Sequence, residues 1–152
     1  NRSGGRNSAV PNKLKSRDMI KAGSEIENDV IGLLNDSSLK EAVAGIYADG
    51  MRPVVSGAQE AVVSFVSGTN GQIQSGMIDV NVYVPDTDAG SGRPVKNRES
   101  CARLEKRLAE VAGRLGMAGY EFSAGDTIRT VRAETGNEHY VNLRLNFKRT
   151  TF

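Results

Sequence analysis

Two stretches of strict alternation constrain this chain more than anything else in it. In Gly76 to Asp86 (G-M-I-D-V-N-V-Y-V-P-D), Ile78, Val80, Val82 and Val84 fall on one side and Met77, Asp79, Asn81 and Tyr83 on the other. A period of two, β-branched on one side and mixed on the other, predicts a half-buried strand. Pro85 lacks a ladder donor and is expected to end it. The C-terminus repeats the pattern, with His139, Val141, Leu143, Leu145 and Phe147 alternating with Tyr140, Asn142, Arg144, Asn146 and Lys148. Two long amphipathic strands of this kind can share one sheet and one core. The rest of the chain is then what covers, connects or extends that sheet.

At 152 residues the chain fits one domain with a two-layer core. A hydrophobic fraction of 38%, 5% aromatics and no Trp leave little surplus apolar area, so packing between subunits is an expected source of further burial. One cysteine and one histidine exclude an internal disulfide framework and the common zinc spacings. With no run of 18 apolar residues and no apolar signal-peptide core in residues 1–17, a soluble protein is expected, made inside the cell and without membrane contact. Of the net charge of +2, residues 1–17 hold +5 (Arg2, Arg6, Lys13, Lys15, Arg17), which leaves −3 on the remainder. Residues 1–17 are read as a flexible basic arm and 18–152 as one α+β domain. Such an arm suits an acidic neighbour or nucleic acid, although it has no aromatic for base stacking.

Taken in order, the chain predicts helical character beginning between Ser16 and Ser24, with Ser24 and Glu27 at capping-box spacing and an apolar stripe of Ile26, Val30, Ile31, Leu33 and Leu34. Asn35 to Ser37 stops it, and Ser37 or Ser38 caps a short second helix. Gly45 to Tyr47 is a short extended piece and Asp49-Gly50 a turn. After an extended connection through Arg52-Pro53, Val54 and Val55, residues Glu60 to Ser67 form a strand with Val63 and Phe65 on one side. Gly68 to Gly71 turns it back into the central strand as a hairpin. Asp86 to Asn97 reads as a long structureless polar loop, of the kind that carries function or orders on a partner. Arg98 to Leu115 is a helix with Cys101, Leu104, Leu108, Val111 and Leu115 on its seam and Gly116 as terminator. A strand or a turn at Tyr120 to Phe122 and a strand at Thr127 to Glu134 then lead through Thr135-Gly136-Asn137 into the C-terminal strand. This order predicts an α+β fold, a mainly antiparallel sheet of about four to five strands with two to three helices on one face.

The candidate chemistry is thin. Asp86-Thr87-Asp88-Ala89-Gly90 resembles the start of a calcium loop, but the fifth position lacks an oxygen ligand and Asn97 stands where a bidentate glutamate is needed. Gly90-Ser91-Gly92 has no following G-K-[ST], so a phosphate cradle is unsupported. His139 alternates with core residues and reads as a sheet residue, since no nucleophile motif accompanies it. Cys101 reads as packing. No catalytic group, metal or cofactor is assigned.

What remains is the open side of the sheet and the loop beside it: Asp79, Asn81, Tyr83, Asp86, Asp88, Arg93, Tyr140, Asn142, Arg144 and Lys148. Two readings stand, a solvated surface or a surface that packs on neighbouring subunits, because Tyr, Asn and Arg suit interfaces better than active sites.

The sequence words L-L-N-D-S-S-L-K-E-A-V-A-G-I-Y (Leu33 to Tyr47), R-P-V-V (Arg52 to Val55), V-V-S-F-V-S-G, G-M-I-D-V-N-V-Y-V-P-D and the closing H-Y-V-N-L-R-L-N-F-K follow one another in an order that resembles the small tail-terminator and tail-completion (head-tail joining) proteins of long-tailed bacteriophages and prophages. The similarity spans about Ile26 to Lys148. The resemblance implies a non-enzymatic virion component, assembled in the bacterial host cytoplasm. It also implies a homo-oligomeric ring, usually a hexamer, seated on the end of the tail tube and docking to the head-side connector. By position it implies ring contacts on the sheet edges and open side, with tube or connector contacts on the Asp86 to Asn97 loop and the termini. The basic arm lies outside the similar region. Two other readings are a nucleic-acid-binding module using the arm with Arg144, Lys148 and Arg149 against phosphate, and a small enzyme with a site under the Asp86 to Asn97 loop.

Overall fold

The computed structural model describes residues 19–53, 57–90, 92–134 and 136–151. The arm of residues 1–17, and Val54 and Val55, lie outside the described residues. The fold is α+β, as expected. Helix α1 (Gly23–Asn35) is followed by a 3-10 turn (Ser38–Ala42), strands β1 (Ile46–Ala48), β2 (Glu60–Thr69) and β3 (Ile73–Pro85), and a small hairpin of β4 (Thr87–Asp88) and β5 (Pro94–Val95). Helix α2 (Arg98–Ala112), then β6 (Tyr120–Ala124), β7 (Arg129–Arg132) and β8 (Glu138–Thr150), complete the chain.

The two alternating stretches are neighbours. β3 and β8 pair antiparallel along their whole length, with Val80 opposite Leu143 and Val82 opposite Val141. The sheet runs β1-β2-β3-β8-β6, with β7 beside β6 on the same edge of β8. It holds six strands where four to five are expected. The extra count comes from Tyr120 to Phe122, which is part of a strand and not a turn, and from β1, which joins β2 in parallel. Three residues are too few to be recognised by alternation.

The core lies between the sheet and the helices. Ile78, Val80, Val82, Val84, Val141, Leu143, Leu145 and Phe147 are fully or almost fully buried, as the alternation predicts. From α1, Ile26, Val30 and Leu34 meet them, and from α2, Cys101, Leu104, Leu108 and Val111. Each such fully buried aliphatic side chain contributes about 1.5–3 kcal/mol.

Local chemistry corrects several boundaries. Helix α1 is not capped by Ser24 and Glu27. Its N-cap is Ala22, whose backbone N–H donates to Glu25 Oε1 at 2.8 Å. Glu27 is used elsewhere, accepting the Phe65 backbone N–H at 2.8 Å. β1 reaches only to the level of Val63, so this carboxylate takes a strand donor that has no strand beside it. Ser37 caps the 3-10 turn, as expected, accepting from the Leu39 N–H. Helix α2 stops at Ala112 with Gly113 as its C-cap, so Leu115 joins the core from outside the helix and Gly116 is not the terminator. The Asp86 to Asn97 loop is not structureless. β4 and β5 pair within it, and Asp88 Oδ1 accepts from the backbone N–H of Gly90 and Gly92 at 2.8 and 3.0 Å.

The strand β8 pattern continues one step past Phe147 to Arg149, which is therefore turned toward the core and 2% exposed. Its Nη1 donates to the Met19 carbonyl and, at 3.0 Å, to Gln74 Oε1, and its guanidinium lies 5.6 Å from the Tyr120 ring centre. Gln74 also donates to the Lys21 carbonyl and accepts the Lys21 N–H, so the chain before α1 is tied down from both sides. Tyr120 closes the cluster by donating its hydroxyl to Asp29 Oδ2 at 2.7 Å, and Lys21 Nζ lies 2.6 Å from the same oxygen.

Burial, and then the Asp29 bond, push the Tyr120 phenol well above its ordinary pKa. The folded protein keeps that proton to higher pH than the unfolded chain does. The contribution is thus complete below about pH 10 and is lost as pH rises beyond it. Tyr120→Phe is expected to cost roughly 1.5–2 kcal/mol at neutral pH and to flatten the alkaline fall in stability. Urea unfolding at a series of alkaline pH values checks both, and an unchanged alkaline slope in the variant would remove Tyr120 as its source.

Candidate functional site

On the open side of the sheet, β3 and β8 set their outward side chains directly opposite each other. Arg144 Nε and Nη2 donate to Asp79 Oδ1 and Oδ2 at 2.8 and 2.9 Å, a two-pronged pair. Asn142 Nδ2 donates to Asn81 Oδ1 at 2.7 Å. Tyr83 and Tyr140 pack with ring centres 5.4 Å apart. Of the expected interface residues, Asp79, Asn81, Tyr83, Tyr140, Asn142, Arg144 and Lys148 therefore share one face. All but Lys148 are half-buried by their own cross-strand partners. The face is a rigid ladder of satisfied pairs, each of a kind worth about 0.2–1 kcal/mol.

One residue of this face escapes sequence reasoning. Arg52 reaches back over the sheet from the turn after β1, donating Nε to Glu60 Oε1 at 2.9 Å. Its Nη1 and Nη2 donate to Glu138 Oε2 and Oε1 at 2.9 and 2.8 Å. The guanidinium carbon lies 4.1 Å from the Tyr83 ring centre. The Glu138 bond raises the Arg52 pKa against the opposing effect of burial, so the cation is firmly held. In the sequence, Arg52-Pro53 signals only an extended dipeptide, because the partners stand 8 and 86 residues away.

The loop residues separate from this face. Asp86 bonds His139 Nδ1 through Oδ1 at 2.8 Å and its side chain is 4% exposed. Asp88 is occupied with the turn of its own hairpin, and Arg93 is exposed with its carbonyl accepting from the Ala89 N–H. Arg144 is engaged by Asp79 and Arg149 is buried, so of the three body cations considered for phosphate contact only Lys148 is exposed.

Two shallow depressions lie over the open side. One, about 320 Å³, is lined by Arg52, Asn81, Tyr83, Glu134, Glu138 and Tyr140 among others. The other, about 540 Å³, includes Ser75, Met77, Glu121, Ser123, Asn146 and Lys148. Among the described residues no group of three or more His, Cys, Asp and Glu is placed to hold a metal. Burial raises the Cys101 thiol pKa, so it stays protonated at neutral pH, 1% exposed in the core. No helix among the described residues is long and apolar enough to cross a membrane.

No protein-family model matches the chain. No curated protein matches it either. Among solved structures, one is similar over 82% of this chain and 96% of that chain, at 14% identity and a TM-score of 0.46. A likeness so distant does not bear on function.

Proposed function

We propose that this chain is a structural component of a tailed bacteriophage or prophage virion, a tail terminator or tail-completion protein. It acts by assembly and not by catalysis. Copies form a closed ring, a hexamer by the resemblance of the sequence, on the end of the tail tube, and the ring offers a surface to the head-side connector. Assembly takes place in the host cytoplasm and the product resides in the virion.

The observation that carries this reading is the open six-stranded sheet with two unlike edges, β1 on one side and β6 with β7 on the other. Unlike edges favour head-to-tail contacts, which either close into a ring or grow into a filament. A ring end that cannot propagate along the tube axis is the physical meaning of termination. The ladder of satisfied pairs on the open side supplies a stiff platform that needs no ordering when it is covered, which lowers the cost of association.

Light scattering on a sizing column, across rising protein concentration, tests this. The expected result is one discrete mass that is a fixed multiple of 16.3 kDa, imaged by negative stain as a ring with a central opening. A mass that stays at 16.3 kDa at every concentration, or one that climbs without a plateau, would overturn it.

A further inference from the structure

The two sheet edges stand at the same height. Following the register across the sheet, Ile46 is level with Ala61, Val82, Val141 and Thr130. One row along, Tyr47 is level with Val62, Asn81, Asn142 and Arg129. β1 is parallel to β2, β3 reverses it, β8 reverses again and β7 once more, so β1 and β7 run in opposite directions. Two copies placed side by side in the same orientation would bring β7 of one against β1 of the next as an antiparallel pair.

The backbone groups on these edges face outward. The Ala133 N–H donates to the Glu138 carbonyl, which makes Ala133 a residue whose backbone faces β8. By alternation Val131 and Arg129 face β8 too, while Thr130 and Arg132 turn theirs away. On the other edge the Gly45 carbonyl accepts from the Ala61 N–H, so Gly45 faces β2 and Ile46 faces out. Thr130 and Ile46, level with each other, thus both present outward strand groups.

The charges match. Arg129 and Arg132 are exposed on β7, and Asp49 is exposed in the turn that ends β1. Among the described residues none of the three belongs to an ion pair. Ile46 packs on the core, so Tyr47 turns by alternation to the open side, with Asp49 following in the turn, and Arg129 stands on that same side beside Asn142. An edge of three residues is too short to recruit unrelated strands, so the flanking charges would set the partner.

We propose that the occupant of the β7 edge is the β1 edge of a second copy of this chain, docked antiparallel, with Arg129 level with Tyr47 of the next copy and its long side chain reaching diagonally to Asp49. The contact deepens the ring reading and rests on it, because it is the head-to-tail interface that the ring requires.

Two charge reversals and their mixture test it. Arg129→Glu sets a carboxylate against Asp49 of the next copy, and Asp49→Arg sets a guanidinium against Arg129. Each variant alone is expected to run at 16.3 kDa where the wild type is a ring, and to keep the wild-type far-ultraviolet circular dichroism spectrum because both residues are exposed on the single chain. Mixed in equal amounts, the two are expected to regain the wild-type mass as an alternating ring, since every junction in it then sets a cation against an anion. Isotope labelling of one variant, read by native mass spectrometry, should show equal numbers of each. Variants that assemble like the wild type would overturn this contact and leave the ring standing. Monomeric variants that do not complement on mixing, or a wild-type particle fixed at two subunits, would overturn it as well. A wild type that never assembles removes the ring reading and this contact with it.

Discussion

Gly76→Ala is expected to destabilise the protein by roughly 3 kcal/mol or more, the upper end of what overpacking costs. A Cβ at this position would sit 2.1 Å from the Ser67 carbonyl oxygen and 2.6 Å from the Gly68 Cα. Both are backbone atoms of the paired strand β2 and cannot swing aside. The cause of the close approach is a bulge. Phe65 pairs with Ile78 but Ser67 already pairs with Met77, so Val66 is an extra residue and is left 40% exposed. The added twist presses β2 against β3 where Gly68 and Gly76 pair and neither strand has a side chain. Gly32→Ala is the control. It lies within α1 with nothing within 4 Å of the new Cβ, and is expected to stabilise by about 0.5–1 kcal/mol. Urea unfolding midpoints compare the two, and a Gly76→Ala protein as stable as the control would refute the bulge as described.

Arg149→Ala is the second large effect, an expected loss of about 3 kcal/mol. The substitution removes a buried cation and strands what it served. The Met19 carbonyl and Gln74 Oε1 lose a charged donor, and Tyr120 loses the guanidinium beside its ring. The unfolding should begin locally. The Lys21 N–H, which donates to the same Gln74 oxygen at 3.1 Å, is expected to lose most of its protection in hydrogen exchange before the β3 and β8 amides do. Arg149→Met keeps the apolar stem and should recover part of the stability but none of the Lys21 protection. Unchanged protection at Lys21 in both variants would mean that something else anchors the segment.

The parts of the fold that were legible in the sequence are those with a long repeat. β3 and β8 read from period two, α1 and α2 from the spacing of Ile26, Val30, Leu34 and of Cys101, Leu104, Leu108, Val111. The same parity rule, carried two residues past Phe147, would have placed Arg149 in the core. The phosphate-contact reading sets Arg149 at the surface instead, because an arginine without a visible partner ordinarily reads as solvated. The hairpin of β4 and β5 was not legible, since two-residue strands have no pattern and Asp88 organises the turn through its side chain. The candidate interface was half legible. Alternation put Asp79, Asn81, Tyr83, Tyr140, Asn142 and Arg144 on one face, but that each has its partner within the chain follows only from the register of β3 on β8.

Which side chains lie on which side of each long element is thus written in the order of the residues, because burial repeats with the geometry of the backbone. Who stands next to whom is settled only once the chain has folded. Arg52 above Tyr83 between Glu60 and Glu138, Glu27 on the Phe65 N–H, and β7 level with β1 on the opposite edge all join residues far apart in the chain. Such contacts leave no local repeat, and they arise only when strand register and a bulge fix the height of one element against another.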